Sequence, residues 1–361
     1  MPNNNLTIER FNEEIKAELA KVRNNDDVLS YLRECRDKYM DRLQDLQYTS
    51  KERKRDEMIS DVGKRWNLII DCLQSYMEGK LSKALCTMNE ILKEESNIPM
   101  RVIPVNTPMD VKQKKILNIP WYRMRISESK SQRLTSKEMF HIPFEKRTLV
   151  KSCRYSVLGY PCIYASNTIL ATWCEMGEPT SNFAVSALQP EGRISLLDLT
   201  IPYPECGRGD YEIVTGWPLI IACSIKVKEL EHPFKPEYVI PQLVMTTIKE
   251  MPDLHIDGCI YTSTKRDSNF KVQDMDWHNI AITAKTSPAQ GYCSELTNIL
   301  SITEPVYSTD YSMEIAKFDE RKKEKNATNA EKIKELFDKM DLNLRKSSFE
   351  KITNEEKRNG L

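Results

Sequence analysis

Near residue 100 the hydrophobic period of this chain changes, and that change limits its architecture more than any other feature. Before it, Ile8, Phe11, Ile15, Leu19 and Val22 recur at steps of three and four, the spacing that lines one face of an α-helix. The same steps run through Val28, Leu32, Cys35, Tyr39, Leu43 and Leu46, behind an N-cap at Asp26 or Asp27. A third series is Met58, Val62, Trp66, Ile69, Leu73 and Met77, and a fourth, past Gly79, is Leu81, Leu85, Met88 and Leu92. Four amphipathic helices are the economical reading. The period then breaks at Pro99, Pro104, Pro108 and Pro120, because proline removes a backbone donor and disfavours helix before it.

From Trp121 to about residue 302, short runs rich in Ile, Val, Tyr and Leu alternate with turn residues: WYRMRI, PCIYA, RISLLDL, PLIIACSIKV, DGCIYTS, HNIAITA and LTNILSI. Such runs predict strands. Two helical stretches interrupt them, Thr168 to about Met176 and roughly Tyr238 to Lys249, so strict βαβ alternation is not expected. From Tyr311 onward the chain is highly charged with a weak amphipathic patch at Ile333, Leu336, Phe337 and Met340, which predicts solvated helices and a frayed end. The expected organisation is a helical domain over 1–96, a linker over 97–120, an α+β domain with a mixed sheet and few helices over 121–308, and a charged, partly helical tail over 309–361.

Bulk composition narrows the partners. Lys+Arg and Asp+Glu both number 53 in 361 residues, so nothing in the net charge calls for nucleic acid or a membrane surface as partner. The ten cysteines are scattered, without a CxxC pair or a cluster of metal-ligand spacing, and read as buried thiols in a reducing compartment. The opening MPNNNLTIERFNEE lacks a basic stretch followed by an apolar one, and nowhere do eighteen apolar residues run together. A cytoplasmic protein is expected. No GxGxxG, GxxxxGK[ST], HExxH or GxSxG occurs, which removes the usual signatures of dinucleotide redox, P-loop, zincin and α/β-hydrolase chemistry.

What remains is an ordered series of polar residues at predicted strand ends: WYRMR, EMFHIPFEKR, CRYSVLGYPCIYASNTILATWCE, DGCIYTSTKR and WHNIAI. Over roughly residues 117–305 this series resembles the RES domain, a family of NAD+-consuming enzymes, many of them toxins of bacterial toxin–antitoxin pairs, named for an Arg, a Glu and a Ser. The resemblance implies an ADP-ribosyltransferase-like fold, with a long helical N-terminal extension as in one subgroup. It places the family's first-strand Arg on Arg123 and a second Arg on Arg154. The strand Tyr falls on Tyr164, the Glu eleven residues later on Glu175, and the late-strand Ser on Ser263. The block around His141 and the run Ile240 to Leu243 look like subgroup markers. Many members have Gly-Arg-Trp-Asn where this chain has Cys153-Arg154-Tyr155-Ser156, and Arg125 stands two residues from Arg123 on the same strand face, so the phosphate ligand is either of them.

The chemistry fits those residue types. Breaking a nicotinamide–ribose bond passes through an oxocarbenium-like sugar, which a carboxylate such as Glu175 stabilises. A pyrophosphate is met by guanidinium groups through paired hydrogen bonds, a role for Arg123 and Arg154. Tyr164, with Tyr160 or Tyr155 in reserve, offers a face to a flat ring, and Ser263 a hydroxyl to ribose, carboxamide or nucleophile. The expectation is therefore NAD+ degradation by a glycohydrolase or phosphorylase of toxin or defence type, with Glu175, Arg123, Tyr164 and Ser263 catalytic and Arg123, Arg125, Arg154, Tyr155, Tyr164 and His141 binding. NAD+ is substrate rather than cofactor, no metal is expected, and an antitoxin or regulatory protein and a second copy of the chain stand as partners. Two other outcomes are ADP-ribosyl transfer to a macromolecule and a non-catalytic NAD-binding helical scaffold.

Overall fold

The computed structural model describes residues 6–21, 27–48, 54–93, 102–105, 120–129, 131–179, 181–202, 209–264, 277–311 and 327–353. Val22, Pro99 and Pro108 lie outside them. The four N-terminal periodic series form α1 (Ile8–Ala20), α2 (Val28–Asp45), α3 (Arg55–Met77) and α4 (Leu81–Leu92). Local chemistry sets their ends. Asp27 accepts from the Leu29 and Ser30 amides, which would otherwise be orphaned at the start of α2. Past α3, Gly79 takes a positive φ of 76°, its N–H donates to Tyr76 O and that of Lys80 to Ser75 O, the two bonds of a glycine C-cap.

Ten strands form one mixed sheet: β1 (Val102–Val105), β2 (Trp121–Ile126), β3 (Cys162–Ser166), β4 (Phe183–Pro190), β5 (Ile194–Leu199), β6 (Gly258–Thr262), β7 (His278–Thr283), β8 (Leu300–Thr303), β9 (Val306–Tyr307) and β10 (Phe349–Lys351). Their order is β1-β5-β6-β7-β3-β2-β4-β8-β10, with β9 beside β4, and every pairing is antiparallel except β5 with β6. Inside the proline-rich stretch read as a linker, Val102–Val105 is thus an edge strand on β5.

Helices are more numerous than the sequence suggested. Besides α6 (Ile169–Glu175) and α8 (Val239–Glu250), which lie where helices were expected, there are α5 (Ser136–Met139), α7 (Asp210–Ser224) and α9 (Ser294–Ile299). The run PLIIACS, read as a strand, is the second half of α7, and the start of LTNILSI belongs to α9. The misreading has a physical cause: α7 is buried on nearly every side from Tyr211 to Cys223, so it shows no amphipathic period. In the tail, α10 (Ala327–Lys346) buries Ile333, Leu336, Phe337, Met340 and Leu344 against α6 and β4, with Phe337 and Trp173 rings 5.7 Å apart. Its apolar patch is core rather than a solvated face.

The N-terminal helices share one core with the sheet layer. Phe11, Tyr39, Trp66 and Leu73 pack in the same cluster as Trp217, Ile220 and Val244 of α7 and α8 and Leu197 and Cys259 of the sheet. Pro218 inside α7 has no N–H to offer the carbonyl of Val214 four residues back. The Tyr39 hydroxyl donates to that carbonyl at 2.7 Å, and Arg65 Nη1 donates to the neighbouring Thr215 O at 2.8 Å. Tyr211 donates to Asp61 at 2.9 Å and Trp217 Nε1 to Asn12 Oδ1 at 2.8 Å. Tyr39, Arg65, Tyr211 and Trp217 thus each find an acceptor as they leave water. Among the described residues, no helix is long and apolar enough to cross a membrane.

Candidate active site

The geometry is set by three central strands. Asn279 of β7 stands opposite Ser166 of β3 on one side and Tyr261 of β6 on the other. Directly opposed residues share a face and side chains alternate along a strand. One face therefore carries Tyr164 and Ser166 of β3, Asn279 of β7 and Tyr261 of β6, with Ser263 just past the end of β6 in the same phase.

Above this row sits α6. Its N-cap Thr168 accepts from the Ala171 amide at 3.0 Å, and the Thr172 hydroxyl lies 3.1 Å from the Tyr122 carbonyl of β2, tying helix to sheet. Gly177, with φ of 81°, closes the helix: its N–H donates to Cys174 O and that of Glu178 to Trp173 O. A seven-residue helix stopped this way makes Glu175 its last residue and brings the side chain over the strands. Glu175 Oε1 accepts two hydrogen bonds there, from Ser263 Oγ at 2.5 Å and from Asn279 Nδ2 at 2.7 Å. The far end of the Asn279 amide accepts from Ser166 Oγ at 2.7 Å.

Arginine and aromatic rings gather beside the carboxylate. Tyr261 and Tyr155 rings lie 4.2 Å apart, and the Arg154 guanidinium stands 5.0 Å from the Tyr238 ring centre while Nη1 donates to Cys223 O at 3.0 Å. Burial, then the Glu175 charge, holds the Tyr261 phenol well above its ordinary range, with Arg154 opposing. Burial also raises Tyr238, where Arg154 pulls down and Cys153 and Glu175 push up. Both phenols thus feel Arg154 and Glu175 together. Tyr164 is raised by burial, then by the Cys162 and Cys153 thiols and by Tyr261, and its buried hydroxyl lacks a hydrogen-bond partner of good geometry among the described residues.

The remaining residues singled out in the sequence fall elsewhere. On β2, Tyr122 faces Ser166, so by alternation Arg123 and Arg125 point to the opposite side of the strand. β2 and β3 share that single register pair, and where the ladder ends Arg123 Nη1 donates to the Tyr164 carbonyl at 2.8 Å. Burial, with repulsion from Arg125, pushes Arg123 down to about 9, and its buried Nε has no partner among the described residues. Arg123 thus borders the group through Tyr164, Cys162 and Cys153. Arg125 Nη2 donates to Phe140 O at 3.0 Å, away from Glu175.

His141 is fully enclosed. Nδ1 donates to Ile142 O at 2.8 Å and Nε2 accepts from the Cys293 N–H at 2.9 Å, so both ring nitrogens are spent on the backbone of the neutral ring. Burial pushes it down to about 4. Tyr155 is likewise enclosed, leaving Tyr261 and Tyr238 as the rings nearest the carboxylate and arginine; reading the sequence missed both, as well as Asn279 and Ser166. The available signal was the polar pair His278 and Asn279 inside the otherwise apolar run WHNIAI.

Against known proteins, the sequence is 32% identical over 212 residues to the Bacillus subtilis (strain 168) protein named "Putative toxin YopC", an alignment covering 53% of this chain and 47% of that one. The chain therefore spans about half the length of the curated relative it matches. No family model matches the chain, and no solved structure matches it.

Proposed function

We propose that this chain is a RES-type enzyme of toxin or defence character that cleaves the nicotinamide–ribose bond of NAD+ on an ADP-ribosyltransferase-like sheet. The observation that carries the reading is a carboxylate, Glu175, held by two donors on a sheet face beside Tyr164, Tyr261 and Arg154. Three of the residues the RES resemblance selects, Tyr164, Glu175 and Ser263, fall on or over one stretch of sheet, with Arg154 close by. The similarity to a relative named as a toxin points the same way.

In this reading the bond between ribose C1′ and the nicotinamide nitrogen breaks with its electron pair passing to the pyridinium, which leaves neutral and needs no acid. The positive charge that develops on the sugar is met by the Glu175 carboxylate. Water or inorganic phosphate then forms the new bond at C1′; where water attacks, its proton passes to solvent. Arg154, and Arg123 from the flank, meet the phosphates, and an aromatic face holds the flat ring.

A time course of NAD+ with the purified chain, with and without phosphate, tests this. ADP-ribose means attack by water and its 1″-phosphate means phosphorolysis. Label from NAD+ appearing on protein or nucleic acid in a lysate would establish ADP-ribosyl transfer instead, and tight NAD+ binding without nicotinamide release would leave only a binding scaffold. Such an activity would need restraint, by an antitoxin or by the chain's own helices. Because the helices share a core with α7, that second possibility is better tested by surface substitutions than by removing residues 1–100.

A further inference from the structure

We propose that Asn279, oriented by Ser166, is a positioning residue that fixes the Glu175 carboxylate for the reaction; the inference rests on the NAD+-cleaving reading above. Glu175 has three rotatable side-chain bonds and stands at the last turn of a short helix, followed by a glycine at positive φ, so its own element constrains it little. Ser263, itself a rotating hydroxyl beyond a strand end, is a pliable anchor for the carboxylate. Asn279 supplies a second point from a strand hydrogen-bonded on both sides.

The direction of the amide is determined as well. A carboxylate oxygen only accepts, so the amide must present Nδ2 to Glu175, and the opposite end then needs a donor. Ser166, its cross-strand partner, provides it at 2.7 Å. Both residues are 2% exposed. Flipping the amide would set Oδ1 against Glu175 Oε1, two acceptors in contact, while the Ser166 hydroxyl could turn to accept, so the carboxylate gives the amide its one low-energy direction and Ser166 holds it there as a latch. Ser166 touches Glu175 only through Asn279, which makes its effect separable.

The test compares Asn279→Ala, Ser166→Ala, Ser166→Thr and the double alanine variant of the full chain. Expected are a fall in kcat for nicotinamide release of about ten- to a hundredfold in Asn279→Ala with KM for NAD+ within about twofold, and a smaller fall in Ser166→Ala that Ser166→Thr restores. The double variant should be no slower than Asn279→Ala alone, because Ser166 has nothing left to orient. Crystal structures of the same variants give a readout independent of turnover: the Glu175 side chain should leave its place in Asn279→Ala. Unchanged kcat in Asn279→Ala, multiplying losses in the double variant, or an unmoved Glu175 would each overturn the proposal. Were Asn279→Ala not to fold, Ser166→Ala carries the same comparison. A wild-type chain without turnover in which Glu175 still moves would sink the NAD+ reading and keep the latch.

Discussion

The interior holds one polar network beneath Pro218 and another around Glu175, and they differ in where their hydrogen bonds end. Under Pro218, Tyr39 donates to the Val214 carbonyl and so replaces what the proline took from the helix, and Arg65 donates to the neighbouring Thr215 carbonyl. Around Glu175, Ser263 and Asn279 both donate to one carboxylate oxygen, and the phenols of Tyr261 and Tyr238 feel that charge and Arg154 together. The first network satisfies backbone and holds helices to the sheet. The second concentrates side-chain chemistry that the backbone does not need, which is what the proposed function requires of it and a satisfied core does not.

The comparison breaks if the Pro218 network turns out to control turnover. Arg65→Met strips the buried Thr215 carbonyl of its donor, while Asp61 keeps Lys64 at 3.7 Å, and should cost about 3 kcal/mol in urea unfolding while leaving nicotinamide release per folded molecule unchanged. A separate effect follows from His141, whose folded form refuses a proton between its ordinary 6.5 and about 4 while the unfolded chain accepts one. Stability should therefore fall as pH drops through that window, by up to about 3 kcal/mol at its foot, and His141→Gln should flatten that slope. Tyr39→Phe, which leaves the Val214 carbonyl unpaired, should cost about 1–3 kcal/mol and again spare turnover. The smallest stability effect is expected at Gly177: alanine there meets no atom within 4 Å but must take a positive φ, a cost of about 1 kcal/mol. Because that strain sits two residues from Glu175, turnover should suffer more than the melting temperature, the reverse of Tyr39→Phe.

The sequence made the amphipathic parts of this architecture readable. Helices α1 to α4 show in their steps of three and four, and α6 in the helical stretch read from Thr168 to about Met176. It hid α7, because a helix enclosed on all sides carries no period and its Ile-Leu-Ile-Ile content imitates a strand. The tail patch on α10 was visible, but its burial depends on α6 and β4, far away in sequence. The RES resemblance put Tyr164, Glu175 and Ser263 in one site; Asn279 and Ser166 became meaningful only once β3 and β7 were paired in register.

The most direct measurement is nicotinamide release from NAD+ by the wild-type chain and by Glu175→Gln, with thermal melts of both. The account predicts release by the wild type and a loss of about a thousandfold or more in the variant, with melting temperatures within a few degrees. Undiminished release by Glu175→Gln, at an unchanged melt, would contradict it.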